Sequence, residues 1–176
     1  VKKVPTIVQS WYLGSVGGDA LADVLTGKVN PSGKLPFSYP VKLKDCPAHF
    51  YGEMSYPGDS IKQEYKEDIL VGYRWYDTKK IKPLFPFGYG LSYTTYKYSK
   101  PVLSAKQMNE GETLSVSVKV KNTGTVAGKE TVQLYIGDEK CSLLRPQKEL
   151  KGFQKVSLQP GEEKEITFTI KPEDLQ

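Results

Sequence analysis

Between Leu114 and Ile170, apolar residues recur at every second position in three separate runs, and no other feature restricts the possible folds as tightly. Leu114, Val116, Val118 and Val120 alternate with Ser115, Ser117, Lys119 and Lys121. Val132, Leu134 and Ile136 alternate with Thr131, Gln133 and Tyr135, and Ile166, Phe168 and Ile170 repeat the pattern. Successive side chains of a strand point to opposite faces, so each run predicts a strand with one buried face. A further strand is expected around Phe153 and Val156, with turns at Asn122-Thr123-Gly124 and Pro160-Gly161. Short strands separated by turns predict an antiparallel β-sandwich of the immunoglobulin-like (fibronectin type III-like) kind.

The N-terminal third has a different pattern. Residues 4–9, VPTIVQ, predict either a buried parallel strand or the end of a helix. A glycine-rich turn, Gly14 to Gly18, leads into a helix expected over about Gly18–Thr26, with Ala20, Leu21, Val24 and Leu25 on one face. Asp19 suits the first turn of that helix, and Gly27 suits a left-handed C-terminal cap. Strand, glycine turn and helix together suggest one α/β unit, which cannot close a sheet alone. Asn30-Pro31-Ser32-Gly33 is a turn signal, and Leu35–Tyr39 is expected as a short edge strand. From Val41 to Lys66 the chain is polar and aperiodic, an extended surface excursion longer than ordinary connections.

Joining the two patterns is the run Lys66–Tyr96, with eight aromatics and three glycines around Pro83 and Pro86. Such a stretch predicts a packed strap between two domains. Trp75 is expected to pack both halves, so its loss should loosen one from the other. Domain boundaries are accordingly expected at 1–65, 66–100 and 101–176.

Charge supports a boundary near residue 100. Residues 1–100 carry 14 Lys/Arg against 9 Asp/Glu, whereas residues 101–176 carry 11 against 11. The lysines look scattered along the sequence and form no basic stripe among aromatics, so no nucleic-acid partner is expected. No apolar run approaches the ~20 residues of a membrane span, so no membrane partner is expected. The opening VKKVPTIVQSWY lacks a secretory h-region, and an export signal, if there is one, is expected further upstream. Cys46 and Cys141 are expected to be isolated thiols rather than a disulfide.

Few residues suggest chemistry. The turn GSVGG could offer backbone N–H groups to an anion, but it lacks a Walker Lys-Ser/Thr and dinucleotide glycine spacing; tight strand-to-helix packing is the simpler reading. His49 is the sole histidine, without a nucleophile elbow or zinc-ligand spacing, and a solvated or loop-packing role is expected. Glu67, Asp68 and Asp77 flank Arg74 closely enough to predict an ion pair. Trp11 and Tyr12, at the expected C-terminal end of a strand, are the candidates for stacking on a sugar. No catalytic residue, metal or organic cofactor is assigned.

Four blocks in order resemble glycoside hydrolase family 3. Trp11-Tyr12-Leu13-Gly14 through Gly17-Gly18, Ala20 and Ala22-Asp23-Val24-Leu25 is similar to the last strand-loop-helix of that family's α/β sandwich domain. Asn30 through Pro36 is similar to the turn that follows it. Glu67-Asp68-Ile69, Val71 through Asp77 and Phe85 through Tyr93 are similar to the linker. Lys121 through Gly124, Gly128, Val132 through Tyr135, Arg145-Pro146 and Leu150 through Phe153 are similar to the terminal fibronectin type III-like domain. The resemblance implies a mainly β chain: a C-terminal β-sandwich preceded by the final α/β segment of an α/β sandwich domain. It implies a parent glycosidase of the β-glucosidase or β-xylosidase type, with a β-linked oligosaccharide or glycoside as substrate and a secreted or periplasmic location. In the family an N-terminal (β/α)8 barrel supplies the aspartate nucleophile, and such barrels need ~250 residues. The 176 residues here hold neither its Ser-Asp-Trp-like motif nor room for it. The missing barrel and the rest of the α/β domain are therefore the expected partners. A non-catalytic module binding polysaccharide or protein, and a small hydrolase using carboxylates of its own, remain the alternatives.

Overall fold

The computed structural model describes residues 3–175. Six strands form two antiparallel sheets: β1 (Tyr96–Tyr98), β2 (Val102–Leu103), β3 (Leu114–Asn122) and β6 (Glu163–Ile170) in one, β4 (Gly128–Ile136) and β5 (Glu149–Leu158) in the other. β3 is central, pairing with β6 along its length and on its other edge with β1 and then β2. The alternation read from the sequence is the observed pleat. Val120, Val132, Val156, Leu158 and Ile166 form the buried core, joined by Tyr96, Val118 and Phe168. At ~1.5–3 kcal/mol per fully buried aliphatic side chain, this cluster is the main apolar stabiliser of the sandwich.

The β4–β5 ladder shifts register where Leu134 faces Gly152 but Tyr135 faces Leu150, leaving Lys151 as an extra bulge residue. At the opposite end, Asn122 is fully buried. Its carboxamide accepts from Thr94 Oγ1 at 2.6 Å and from the Gly124 N–H, and donates to the carbonyls of Val126 and Leu158. One side chain thus closes the Asn122–Gly124 turn and ties it to the strap and the second sheet.

Before the sandwich lie helix α1 (Gly17–Leu25), a 3-10 turn (Leu43–Asp45), and short helices α2 (Pro47–Phe50) and α3 (Tyr73–Thr78). α1 begins one residue earlier than expected, and Gly27 takes the left-handed conformation at its end (φ 78°). Gly17 is buried so closely against Leu13 that an added Cβ would overlap that side chain, which accounts for glycine there by packing rather than by anion binding.

Two expectations for this region fail. Residues 4–9 form neither strand nor helix end, and Val4, Ile7 and Val8 are exposed, because no described strand lies beside them to complete a ladder. Leu35–Tyr39 is not an edge strand. Only Tyr39 makes a bridge, to Phe85, while Leu35 exchanges bonds with Gly88 and Tyr89. Pro36 and Pro40 remove the donors that a ladder would need.

Candidate functional site

The site with the densest specific contacts is the junction between the strap and the sandwich, and α3 is its centre. One face of α3 addresses the sandwich. The Tyr73 hydroxyl accepts the Leu150 N–H at 2.7 Å, and its ring stacks on Phe87 and meets Tyr135 edge-on. Arg74 pairs with Glu149 at 3.1 Å, Asp77 with Lys148 at 3.3 Å, and Thr78 Oγ1 accepts the Gln147 N–H. Burial, with Tyr73 and Asp77 nearby, pushes the Tyr135 hydroxyl up to about 12, so it remains a neutral donor to Gln133.

The expected ion pair among Glu67, Asp68, Asp77 and Arg74 is therefore not formed: the short α3 turns Arg74 toward Glu149, the first residue of β5, and Asp77 toward Lys148 just before it. Glu67 is buried with one carboxylate oxygen unpartnered, and Asp68 is exposed in the left-handed region (φ 55°).

The other face of α3 holds the 41–66 excursion. Trp75 is fully buried with Leu70, Tyr76 and Ile81. Its ring meets Phe50 and Tyr51 edge-on, and its Nε1 donates to the Asp45 carbonyl at 3.1 Å. Tyr76 donates to the Cys46 thiol at 3.8 Å; burial first, then Cys46, raises its own pKa. The excursion is thus a small folded lobe, closed by Glu64 N–H to Met54 O and Gly58 N–H to Glu53 O, with His49 packed edge-on against Tyr56. Trp75 belongs to this lobe. It does not bridge both halves as its sequence neighbourhood suggested, because Trp75 and Tyr73 sit on opposite faces of one short helix. Both cysteines are free thiols.

A second junction is made by the Asn30–Lys34 turn, whose role its turn signal did not reveal. Asn30 donates to the Ala127 carbonyl and accepts from Ser92 Oγ and the Tyr93 N–H. Lys34 pairs with Glu130 at 3.1 Å, both side chains being largely buried (17% and 12% exposed), and donates to the Gly90 carbonyl. Tyr98 donates to the same Glu130, and burial followed by that carboxylate raises its pKa. Gly90 and Gly128 permit this approach: an added Cβ would overlap the Gly33 carbonyl oxygen in one case and the Tyr96 hydroxyl in the other.

Trp11 and Tyr12 lie apart from both junctions. Trp11 adopts φ 55°, unusual for a bulky residue, and its half-exposed ring meets Phe37 edge-on. Tyr12 is fully exposed.

Two cavities accompany these junctions. One of about 70 Å3, between Tyr73, Tyr135 and Lys148, has room for about two waters. The other, about 270 Å3, is lined by Asp138, Glu149 and Asp174, each already engaged: by the Lys140 N–H, by Arg74 and by the Lys171 N–H respectively. Among the described residues no group of three His, Cys, Asp or Glu could hold a metal.

The architecture is a helical N-terminal segment joined by a strap to a fibronectin-like β-sandwich. The family description "Glycosyl hydrolase family 3 C-terminal domain" matches residues 1–93, and "Fibronectin type III-like domain" matches residues 130–176. The chain belongs to glycoside hydrolase family 3. It is 78% identical over its whole length to β-glucosidase BoGH3A of Bacteroides ovatus, and covers 24% of that protein. It is 53% identical over 170 residues to thermostable β-glucosidase B of Acetivibrio thermocellus, covering 97% of this chain and 22% of that protein. The solved structure of β-glucosidase 3B from Thermotoga neapolitana with glucose superimposes with a TM-score of 0.84 at 45% identity, covering 94% of this chain and 22% of that one. The chain thus spans about a quarter of the relatives that it matches.

Proposed function

We propose that this chain is the structural C-terminal part of a β-glucosidase that hydrolyses terminal non-reducing β-D-sugars, and that it contributes neither reactive carboxylate. The observation carrying this reading is a match that runs the whole length of this chain but spans only about a quarter of the β-glucosidases, over a region in which the described residues place no free carboxylate pair in either cavity. Retaining glycosidases need two carboxyl groups ~5–5.5 Å apart across the scissile bond, and the reactive pair is assigned to the remainder of the enzyme.

The organisation proposed is an α/β segment over 1–65, a strap over 66–100 and a sandwich over 101–176, with β1 in the last residues of the strap joining the sheet of the sandwich. The remainder of the α/β domain is assigned to the exposed apolar residues of this segment, Val4, Ile7, Val8, Leu13, Val16 and Leu25. Trp11 and Tyr12 are assigned to contact with the glycoside. Their exposure supports this, as does the left-handed backbone of Trp11, a kind of strain that concentrates at binding sites.

Assaying an aryl β-glucoside separates the possibilities. The longer protein carrying this chain is expected to turn over the substrate, and the 176-residue chain alone is not. Turnover by the isolated chain overturns the reading. A Trp11→Ala variant of the longer protein should raise KM; an unchanged KM removes Trp11 from the site.

A further inference from the structure

The two sheets of the sandwich are unequal. β1, β2, β3 and β6 are faced by β4 and β5 alone among the described residues, where sandwiches of this kind set about three strands against four. The shortfall lies on one side. β5 covers β6, with Gly152 close to the Phe168 ring, while β4 reaches β1 through Gly128 beside the Tyr96 hydroxyl and through Glu130 bonded to Tyr98. Register sets Tyr98 opposite Val120 and Leu103 opposite Val116, so both point to the core face of their sheet. Yet Tyr98 and Leu103 are 42% and 54% exposed, whereas Val120 is fully buried. The core face is therefore uncovered over β1 and β2, beside β4.

The edge of β4 is open as well. Alternate main-chain groups of an antiparallel strand point away from its partner. Among the described residues, no bond reaches the main chain of β4 from outside the β4–β5 ladder. β5 differs, since Tyr73, Lys164 and Asn122 bond the Leu150 N–H and the Ser157 and Leu158 carbonyls. β4 contains no proline, and residues 132–136 carry no charge, so it lacks the usual protections of a free edge. After β6, the 3-10 turn Pro172–Leu175 brings the chain to this place: Asp174 and Leu175 border the larger cavity together with Ile136, Gly137 and Asp138 at the end of β4. A strand leaving that point along β4 runs from Ile136 toward Gly128, antiparallel to it. We propose that β4 is completed by strand addition: past this turn, the longer polypeptide supplies a strand antiparallel to β4, whose apolar face covers Tyr98 and Leu103. Chain outside this region is ample, since its 176 residues cover 24% of the Bacteroides ovatus relative. The inference concerns the sandwich and does not rest on the glycosidase reading.

Photo-crosslinking in the longer protein tests this. Leu103→Cys, labelled with a benzophenone maleimide, should cross-link to a peptide that lies beyond residue 176 of the same molecule, identified by mass spectrometry. Mixing isotopically light and heavy protein separates links within a molecule from links between copies. Hydrogen exchange of the unsubstituted proteins gives a second readout that needs no label. Alternate amides of β4 should exchange at least about a hundredfold faster in the 176-residue chain than in the longer protein, while the amides that bond β5 exchange alike in both. Cross-links confined to residues preceding Val1, cross-links only between copies, or equal exchange of every β4 amide in the two proteins each overturns the proposal. Neither readout depends on turnover, so an inactive longer protein with both results intact would refute the glycosidase reading alone.

Discussion

Replacing Trp75 by alanine should release the 41–66 lobe and leave the sandwich closed. The side chain is fully buried, and such Trp→Ala changes cost about 3–5 kcal/mol through lost contacts and the residual cavity. The Asp45 carbonyl also loses its indole donor, adding about 1 kcal/mol. The lobe is held mainly by this residue, Tyr76 and its own turns, so a loss of about 4–6 kcal/mol should appear as local opening rather than global unfolding. Hydrogen exchange read by mass spectrometry is the suitable assay. Amides of residues 43–66 should lose protection by about three orders of magnitude or more, at about 1.4 kcal/mol per tenfold, while β3, β4 and β6 keep theirs. Tyr73→Phe is the complementary control. It leaves the Leu150 N–H without an acceptor, costing about 1–3 kcal/mol, and should loosen the start of β5 without touching the lobe. Equal loss of protection in the sandwich and the lobe of Trp75→Ala would refute the division of α3 into two independent faces.

Other expectations concern single contacts. Asn122→Ala strips donors from two backbone carbonyls inside the sandwich and should lower stability by about 2–4 kcal/mol, read as a lower urea midpoint with an unchanged m-value. Gly90→Ala should push the Asn30–Lys34 turn off the sandwich, because the new Cβ meets a backbone oxygen that cannot rotate away; chemical-shift changes at Ala127 and Glu130 would reveal it. The Glu64 carboxylate, hydrogen-bonded and ion-paired to Lys62 and Lys66, is held down at about 2. Its stabilisation of the lobe is fully present above the ordinary value of 4.5 and is lost as pH falls from there through about 2. Lobe amide protection should therefore decline over that window more steeply in the wild type than in Glu64→Gln, which keeps only the contribution of Asp59, held low by the Lys62 and Ile61 N–H groups.

The sandwich was legible because a period of two leaves no alternative: Val118, Val120, Val132 and Ile166 can share a core only if each run pleats. The turns at Asn122–Gly124 and Pro160-Gly161 and the cap at Gly27 were equally local, being properties of single residues. The partners of α3 were not. Sequence neighbours suggested pairing Arg74 with Glu67, Asp68 or Asp77, but a helix of six residues points its side chains outward to whatever the fold brings near, which proved to be β5. The Lys34–Glu130–Tyr98 junction has the same origin, joining residues 96 and 32 positions apart with no periodic signal between them. Residues 4–9 show the converse, since an apolar run becomes a buried strand only when neighbouring strands are present to bond it. By itself, then, the sequence determined which segments pleat, turn and coil, because those follow from adjacent side chains. Only the tertiary structure decided which charges and hydrogen-bonding groups meet, because contact energies depend on distance in space and not along the chain.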